Sequence, residues 1–137
     1  MNSDLMSMAI IAAAFLIIVG VVLGLTKRKR RPLNKEYFTA QWKEHQKLCG
    51  NKETWPLAVI NTDKLLDEAL RKSGFRGKTM GERLVSAQRQ LTDNDLVWFG
   101  HKLRNKLVHE SDVRLKEDDV RDALKGMRQA LRDLGAL

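Results

Sequence analysis

The sequence predicts an all-α protein, with an N-terminal transmembrane helix followed by a bundle of about five helices. Three observations lead to this prediction. No stretch of the 137 residues alternates apolar and polar side chains with the period of a strand. Residues 6–25 form a nearly unbroken apolar run. The rest of the chain repeats apolar side chains at steps of three and four, which is the spacing of one helix face.

The apolar run from Met6 to Leu25 is long enough for a membrane-spanning helix, which needs about 20 apolar residues. Ser7 is its only polar side chain, and a basic cluster follows it, formed by Lys27, Arg28, Lys29, Arg30 and Arg31. Such a cluster marks the cytoplasmic side and contacts lipid headgroups. The sequence therefore predicts a single-pass inner-membrane protein with its N-terminus outside. Residues 1–31 would be the anchor in the lipid bilayer, and residues 32–137 a cytoplasmic domain.

Charge and cysteine content exclude several classes of function. Five cations and Asp4 give residues 1–31 a net charge of +4, and the remaining 20 basic and 16 acidic residues give residues 32–137 the same value. The bundle is thus only mildly basic, and its charge alone does not indicate nucleic acid. The single Cys49 excludes an internal disulfide. Three histidines without carboxylates at ligand spacing predict no metal site, and no cofactor is predicted.

The helices of the bundle are predicted from caps and apolar spacing. Asn34 is placed to cap the first helix, which ends near Cys49 and Gly50, and a second helix begins at Trp55. Thr79 and Glu82 have the spacing of a capping box at the start of a third helix. The side chains predicted to face the core are Phe38, Trp42, Val59, Leu66, Leu70, Leu84, Ala87, Leu91, Val120, Leu124, Met127, Leu131 and Leu134.

The helix predicted over residues 96–109 has two unlike faces. The face predicted to contact the core contains Leu96, Phe99, Leu103 and Leu107. The other face mixes apolar side chains with polar ones, which predicts contact with a partner. The residues assigned to this binding or dimer face are Val97, Trp98, His101 and Val108. Gly100, beside that face, is expected to permit close approach of another backbone.

Asp63 lies at the edge of the apolar stripe of the second predicted helix, and two environments fit that position. It either faces water, or it orients a histidine or pairs an arginine of the 96–109 helix. Arg104 has a matching structural alternative, in which it pairs with an acid such as Asp63.

The segment from Arg104 through Asn105 to His109 resembles the Arg-x4–6-His motif of the HEPN superfamily. Members of that family are small all-α bundles, and many are metal-independent ribonucleases whose motif helix lies at a two-fold dimer interface. The resemblance covers the motif helix and the helical character of residues 34–134. It implies that Arg104 binds the scissile phosphate, that His109 transfers a proton, and that Asn105 binds the phosphate or orients the histidine.

Two functions are predicted from these features. The first is a membrane-anchored, HEPN-like module that binds or scaffolds RNA, a nucleotide or a protein, and that forms a homodimer. The alternative is a membrane-tethered, metal-independent ribonuclease that uses Arg104 and His109. The anchor and the mild positive charge of the bundle favour the binding module.

Overall fold

The structure, a computed structural model, describes residues 2–26 and 30–137, and the chain divides into two compact units, Met1–Arg30 and Arg31–Leu137. Within the described residues all regular structure is helical, with six α-helices and two short 3₁₀ turns and no strand. The prediction of an all-helical protein is confirmed. The α-helices are α1 (Asn2–Thr26), α2 (Lys35–Lys47), α3 (Trp55–Lys72), α4 (Met80–Ala87), α5 (Asn94–His109) and α6 (Glu117–Asp133).

The N-terminal unit corrects the predicted membrane anchor. Across the described parts of the chain, no helix combines the length and the apolar character that crossing a membrane requires. The predicted transmembrane helix was therefore wrong, as was the single-pass inner-membrane location. Of the predicted basic cluster, Lys27, Arg28 and Lys29 lie outside the described residues.

The helices of the second unit begin at side chains that satisfy free backbone N–H groups. The N-caps of α2, α4 and α5 are Asn34, Thr79 and Asp93. Each side-chain oxygen accepts a hydrogen bond from the backbone N–H three residues later, at 3.0, 3.2 and 3.0 Å respectively. The predicted capping box at Thr79 is half formed. In a full capping box the Glu82 carboxylate would accept from the backbone N–H of Thr79. Here it accepts from the backbone N–H of Lys78 instead, at 2.6 Å.

The core of the bundle lies between α2, α3, α4, α5 and α6. In α2, α3, α4 and α6 it contains the side chains that apolar spacing predicted. All the core residues predicted for these helices are buried, except Leu134, which packs half-buried against the core. Leu91, after the end of α4, is also buried as predicted. The single-stripe pattern of these helices therefore predicts their orientation correctly.

Helix α5 is rotated relative to the prediction. Val97 is 1% exposed and His101 is 8% exposed, whereas Phe99, assigned to the core, is 38% exposed. Leu103 and Leu107 are only partly buried. The predicted core face of α5 was wrong at Phe99, whereas Leu103 and Leu107 do pack against the core. The residues of this helix that are fully turned inward are Val97, Gly100 and His101.

Two glycines set the distance between α5 and α6. A Cβ atom on Gly126 of α6 would lie 2.5 Å from the backbone carbonyl carbon of Leu96 in α5. A Cβ atom on Gly100 of α5 would lie 3.2 Å from the carbonyl oxygen of Ala123 in α6. The close approach expected at Gly100 is thus confirmed, and the approaching backbone belongs to α6.

Candidate functional site

A polar cleft opens between α2, α3 and α5 and extends to the start of α4. Its volume is about 910 Å³. Most of its lining is polar or charged, and the side chains that can contact or orient a ligand include Tyr37, His45, Asp63, Lys64, Asp67, Glu68, Arg71, His101, Arg104 and Asn105. The cleft brings together residues that are far apart in sequence, because α5 packs directly on α3.

Asp63, on α3, lies at the floor of this cleft and is 2% exposed. Its Oδ1 is 2.9 Å from Nδ1 of His101, and its Oδ2 is 3.5 Å from Nε of Arg104. His101 and Arg104 are three residues apart on α5, so the same face of the helix presents both of them to α3. Of the two environments predicted for Asp63, the structure has the second, with a histidine and an arginine as partners.

Burial raises the pKa of the Asp63 carboxyl, and the nearby Asp67 acts in the same direction. The hydrogen bond and charge of His101 and the charge of Arg104 act in the opposite direction and offset part of the increase. Asp63 is therefore a buried acid whose charged form depends on its two partners from α5.

Arg104 is incompletely bonded. Its Nη1 donates to Oδ1 of Asn105 at 3.0 Å, and its side chain is 28% exposed. Its Nε is buried and makes no hydrogen bond within the described part of the chain, because the carboxylate of Asp63 is 3.5 Å away. A guanidinium has five N–H donors in a fixed plane, so Arg104 retains terminal Nη donors for a ligand, whereas the buried Nε is not among them.

His45 contributes a second imidazole to the cleft from α2. Its Nδ1 is buried without a hydrogen-bond partner among the described residues. Burial lowers the pKa of His45, and the charge of Glu44 opposes this effect. Near physiological pH this ring is therefore a neutral group that can accept or donate a hydrogen bond.

A second carboxylate of α3, Asp67, also borders the cleft, but its hydrogen bonds are complete. Arg83 of α4 donates to it twice, from Nε to Oδ1 at 2.7 Å and from Nη2 to Oδ2 at 3.0 Å. Nη1 of the same arginine donates to the carbonyl of Gly77 at 2.6 Å. This bidentate pair joins α3 to α4 and leaves the carboxylate little capacity for a ligand.

The structure separates the residues that the HEPN resemblance assigned to one site. Arg104 and Asn105 line the cleft, whereas His109 is the exposed last residue of α5 and is not part of the lining. Within one chain, Arg104 and His109 therefore do not converge. The histidine that accompanies Arg104 is His101.

The predicted binding or dimer face is also divided. Val97 and His101 lie inside the bundle, so a second copy cannot reach them. Trp98 is half-buried against the core, and its ring stands edge-on to the His101 ring with 5.9 Å between centroids. Val108 is 49% exposed. Only Val108 and the outer part of Trp98 remain accessible.

Among the described residues, no three His, Cys, Asp or Glu side chains are grouped so as to hold a metal ion. Comparison of the chain with family models, with curated proteins and with solved structures gives no match. The resemblance to the HEPN superfamily thus depends on the Arg104–His109 segment alone. The function has to be inferred from the geometry of the cleft.

Proposed function

We propose that the helical bundle is a binding module and that its cleft takes a nucleotide, either free or as one unit of an RNA chain. The observation that supports this most directly is the Arg104 guanidinium. It is positioned from one side by Asp63 and from another by Asn105, and it retains free donors toward the cleft. Such a planar fork matches the oxygens of a phosphate group.

The carboxylates of the cleft do not oppose an anionic ligand, because each has a cationic partner. Asp63 has Arg104, Asp67 has Arg83, and Glu68 accepts from Lys72 at 2.8 Å. Lys64 adds a positive charge to the lining. The field experienced by a phosphate beside Arg104 is therefore favourable despite three acids nearby.

The size and the remaining groups of the cleft also suit a nucleotide. A volume of about 910 Å³ lies at the upper end of the range for small-molecule sites, roughly 300–1,000 Å³. The ring of Tyr37 at the rim is 38% exposed and offers a surface for stacking a base. His45 and Asn105 can exchange hydrogen bonds with a base or a ribose.

The proposal is tested by calorimetric titration of the full chain with nucleoside monophosphates. Arg104→Gln is expected to weaken binding about tenfold or more, because it removes charge-assisted hydrogen bonds that contribute about 1.5–3 kcal/mol. Lys102→Gln is the matched control, since Lys102 is an exposed cation of α5 outside the cleft. Equal losses in both variants, or no binding by the unaltered chain, would contradict the proposal.

The ribonuclease alternative is tested in the same samples by incubation with RNA and a chelator. Cleavage that disappears in both Arg104→Ala and His109→Ala would replace the binding module by a metal-independent ribonuclease. Because the two residues do not converge within one chain, that result also requires a dimer, which light scattering measures.

A further inference from the structure

A second groove, separate from the cleft, lies between α2 and α6. Its volume is about 580 Å³. One wall contains Trp42 and Trp55, and the other contains four cations of α6, Arg121, Lys125, Arg128 and Arg132. We infer that this groove binds a single-stranded nucleic acid, with phosphates along the cations of α6 and a base on Trp55.

The four cations form a continuous stripe. Their spacing of four, three and four residues places them on one face of α6, and they extend over about 16 Å of helix. All four side chains are exposed. A linear series of positive charges of this length complements a polyanion rather than a single small anion.

Helix α6 also carries five acids, but most of the stripe forms no close ion pair with them. Arg121 pairs with the exposed Asp118, with 2.6 Å between Nη2 and Oδ1. Within residues 2–26 and 30–137, no carboxylate forms an ion pair with Lys125, Arg128 or Arg132. Glu117 lies at one end of the groove and leaves the rest of the stripe positive.

The aromatic wall is rigid. Nε1 of Trp55 donates to the carbonyl of Cys49 at 3.0 Å, which fixes the orientation of its partly exposed ring. Trp42 is buried, and the Arg128 guanidinium lies over it at 5.6 Å. The Lys52 ammonium lies over the partly exposed Trp55 ring, 5.9 Å from its centroid, and a stacking base would displace this flexible side chain. A fixed aromatic ring beside a basic stripe is the combination by which proteins bind single strands with little sequence preference.

The stripe does not depend on the proposed function of the cleft, because none of its residues and neither tryptophan of the groove lines that cleft. Binding of a strand to the groove and binding of a nucleotide to the cleft can therefore fail independently. Arg104→Gln should impair only the binding of a nucleotide to the cleft. Changes in the groove should impair only the binding of a strand to the groove.

The test measures the fluorescence anisotropy of labelled oligouridylate and oligodeoxyuridylate, which differ only in the ribose, mixed with the full chain over a series of salt concentrations. Four phosphate contacts predict a slope of log K against log salt of about −3 for a single strand, and Lys125→Gln/Arg132→Gln should reduce its magnitude by about 1.4. Lys102→Gln/Lys106→Gln removes the same charge from exposed positions of α5 and should leave the slope unchanged. Trp55→Leu should weaken binding at least about fivefold, the lower end of stacking on one aromatic ring.

Circular dichroism confirms that each variant is folded. Tighter binding of the RNA than of the DNA would show that the ribose takes part, and equal binding would support recognition of the shared phosphates and bases. Equal slopes in the two double variants would overturn the inference, because binding would then follow the overall charge. Equally strong competition by polyglutamate would overturn it as well, since the aromatic wall would have no role.

Discussion

Asp63 and Asp67 lie one turn apart on α3, and each faces an arginine from another helix, but they are bonded differently. Arg83 donates two hydrogen bonds to Asp67 and a third to the carbonyl of Gly77. Arg104 approaches Asp63 only to 3.5 Å, and its Nε makes no hydrogen bond in the part of the chain described. The first pair uses its donors to join helices. The Arg104–Asp63 pair leaves terminal Nη donors of Arg104 that a ligand can use.

Asp67→Asn should have the largest effect of the changes that test this comparison. We expect it to lower the free energy of unfolding by about 3–5 kcal/mol, because it leaves the Arg83 guanidinium, whose side chain is 10% exposed, without its counter-charge. Urea unfolding at neutral pH, followed by circular dichroism, measures the change. The control is Asp118→Asn, which breaks an exposed pair and should cost less than about 1 kcal/mol. If the two variants lowered the free energy of unfolding equally, the Arg83–Asp67 pair would contribute no more to stability than an exposed pair.

Asp63→Asn should have a much smaller effect on stability, less than about 1 kcal/mol at neutral pH. The amide oxygen can still accept the hydrogen bond from His101, and the cost of burying a charge disappears. The Arg104 side chain is 28% exposed, so water can solvate its charge when the Asp63 carboxylate is removed. The same urea experiment measures this change. If Asp63→Asn lowered the free energy of unfolding as much as Asp67→Asn, Asp63 would be as important for stability as Asp67.

The pH dependence of stability gives the smallest predicted effect. Burial raises the pKa of Asp63 above its ordinary 3.8, so the folded state takes up a proton before the unfolded state does. The stabilisation from this proton is fully present below pH 3.8 and is lost as the pH rises through the folded pKa. As the pH falls through that window, the unaltered chain should therefore gain stability relative to Asp63→Asn.

The difference between their urea midpoints over a series of pH values measures this gain, since the other carboxylates are common to both proteins. A difference that stays constant would show that His101 and Arg104 cancel the effect of burial, and one that moves the opposite way on acidification would show that they outweigh it.

Much of the bundle was predictable because most of its helices bury a single apolar stripe. Phe38, Val59, Leu84 and Met127 are buried as their spacing predicts. For these residues the hydrophobic effect decides which way the helix faces, and the local sequence contains that information.

The orientation of α5 and the floor of the cleft were not predictable in this way. Gly100 faces α6 because two glycines bring the backbones together. His101 faces inward because it contacts Asp63, which lies 38 residues earlier in the chain. Hydropathy assigns a histidine to the surface, and no local pattern shows that a carboxylate on another helix will bury it. The signal that did exist was chemical: an acid at the edge of the α3 stripe, and a histidine and an arginine three residues apart on α5.

The glycine contact between α5 and α6 also limits how the cleft can change during evolution. Any side chain at Gly126 would meet the backbone of Leu96, so a substitution there requires α5 itself to move. Because α5 presents His101 and Arg104 to α3, its displacement would change the positions of both relative to Asp63. New ligand preferences should therefore arise by exchanging side chains around the cleft, such as Tyr37, His45 or Lys64, while the position of α5 is inherited unchanged.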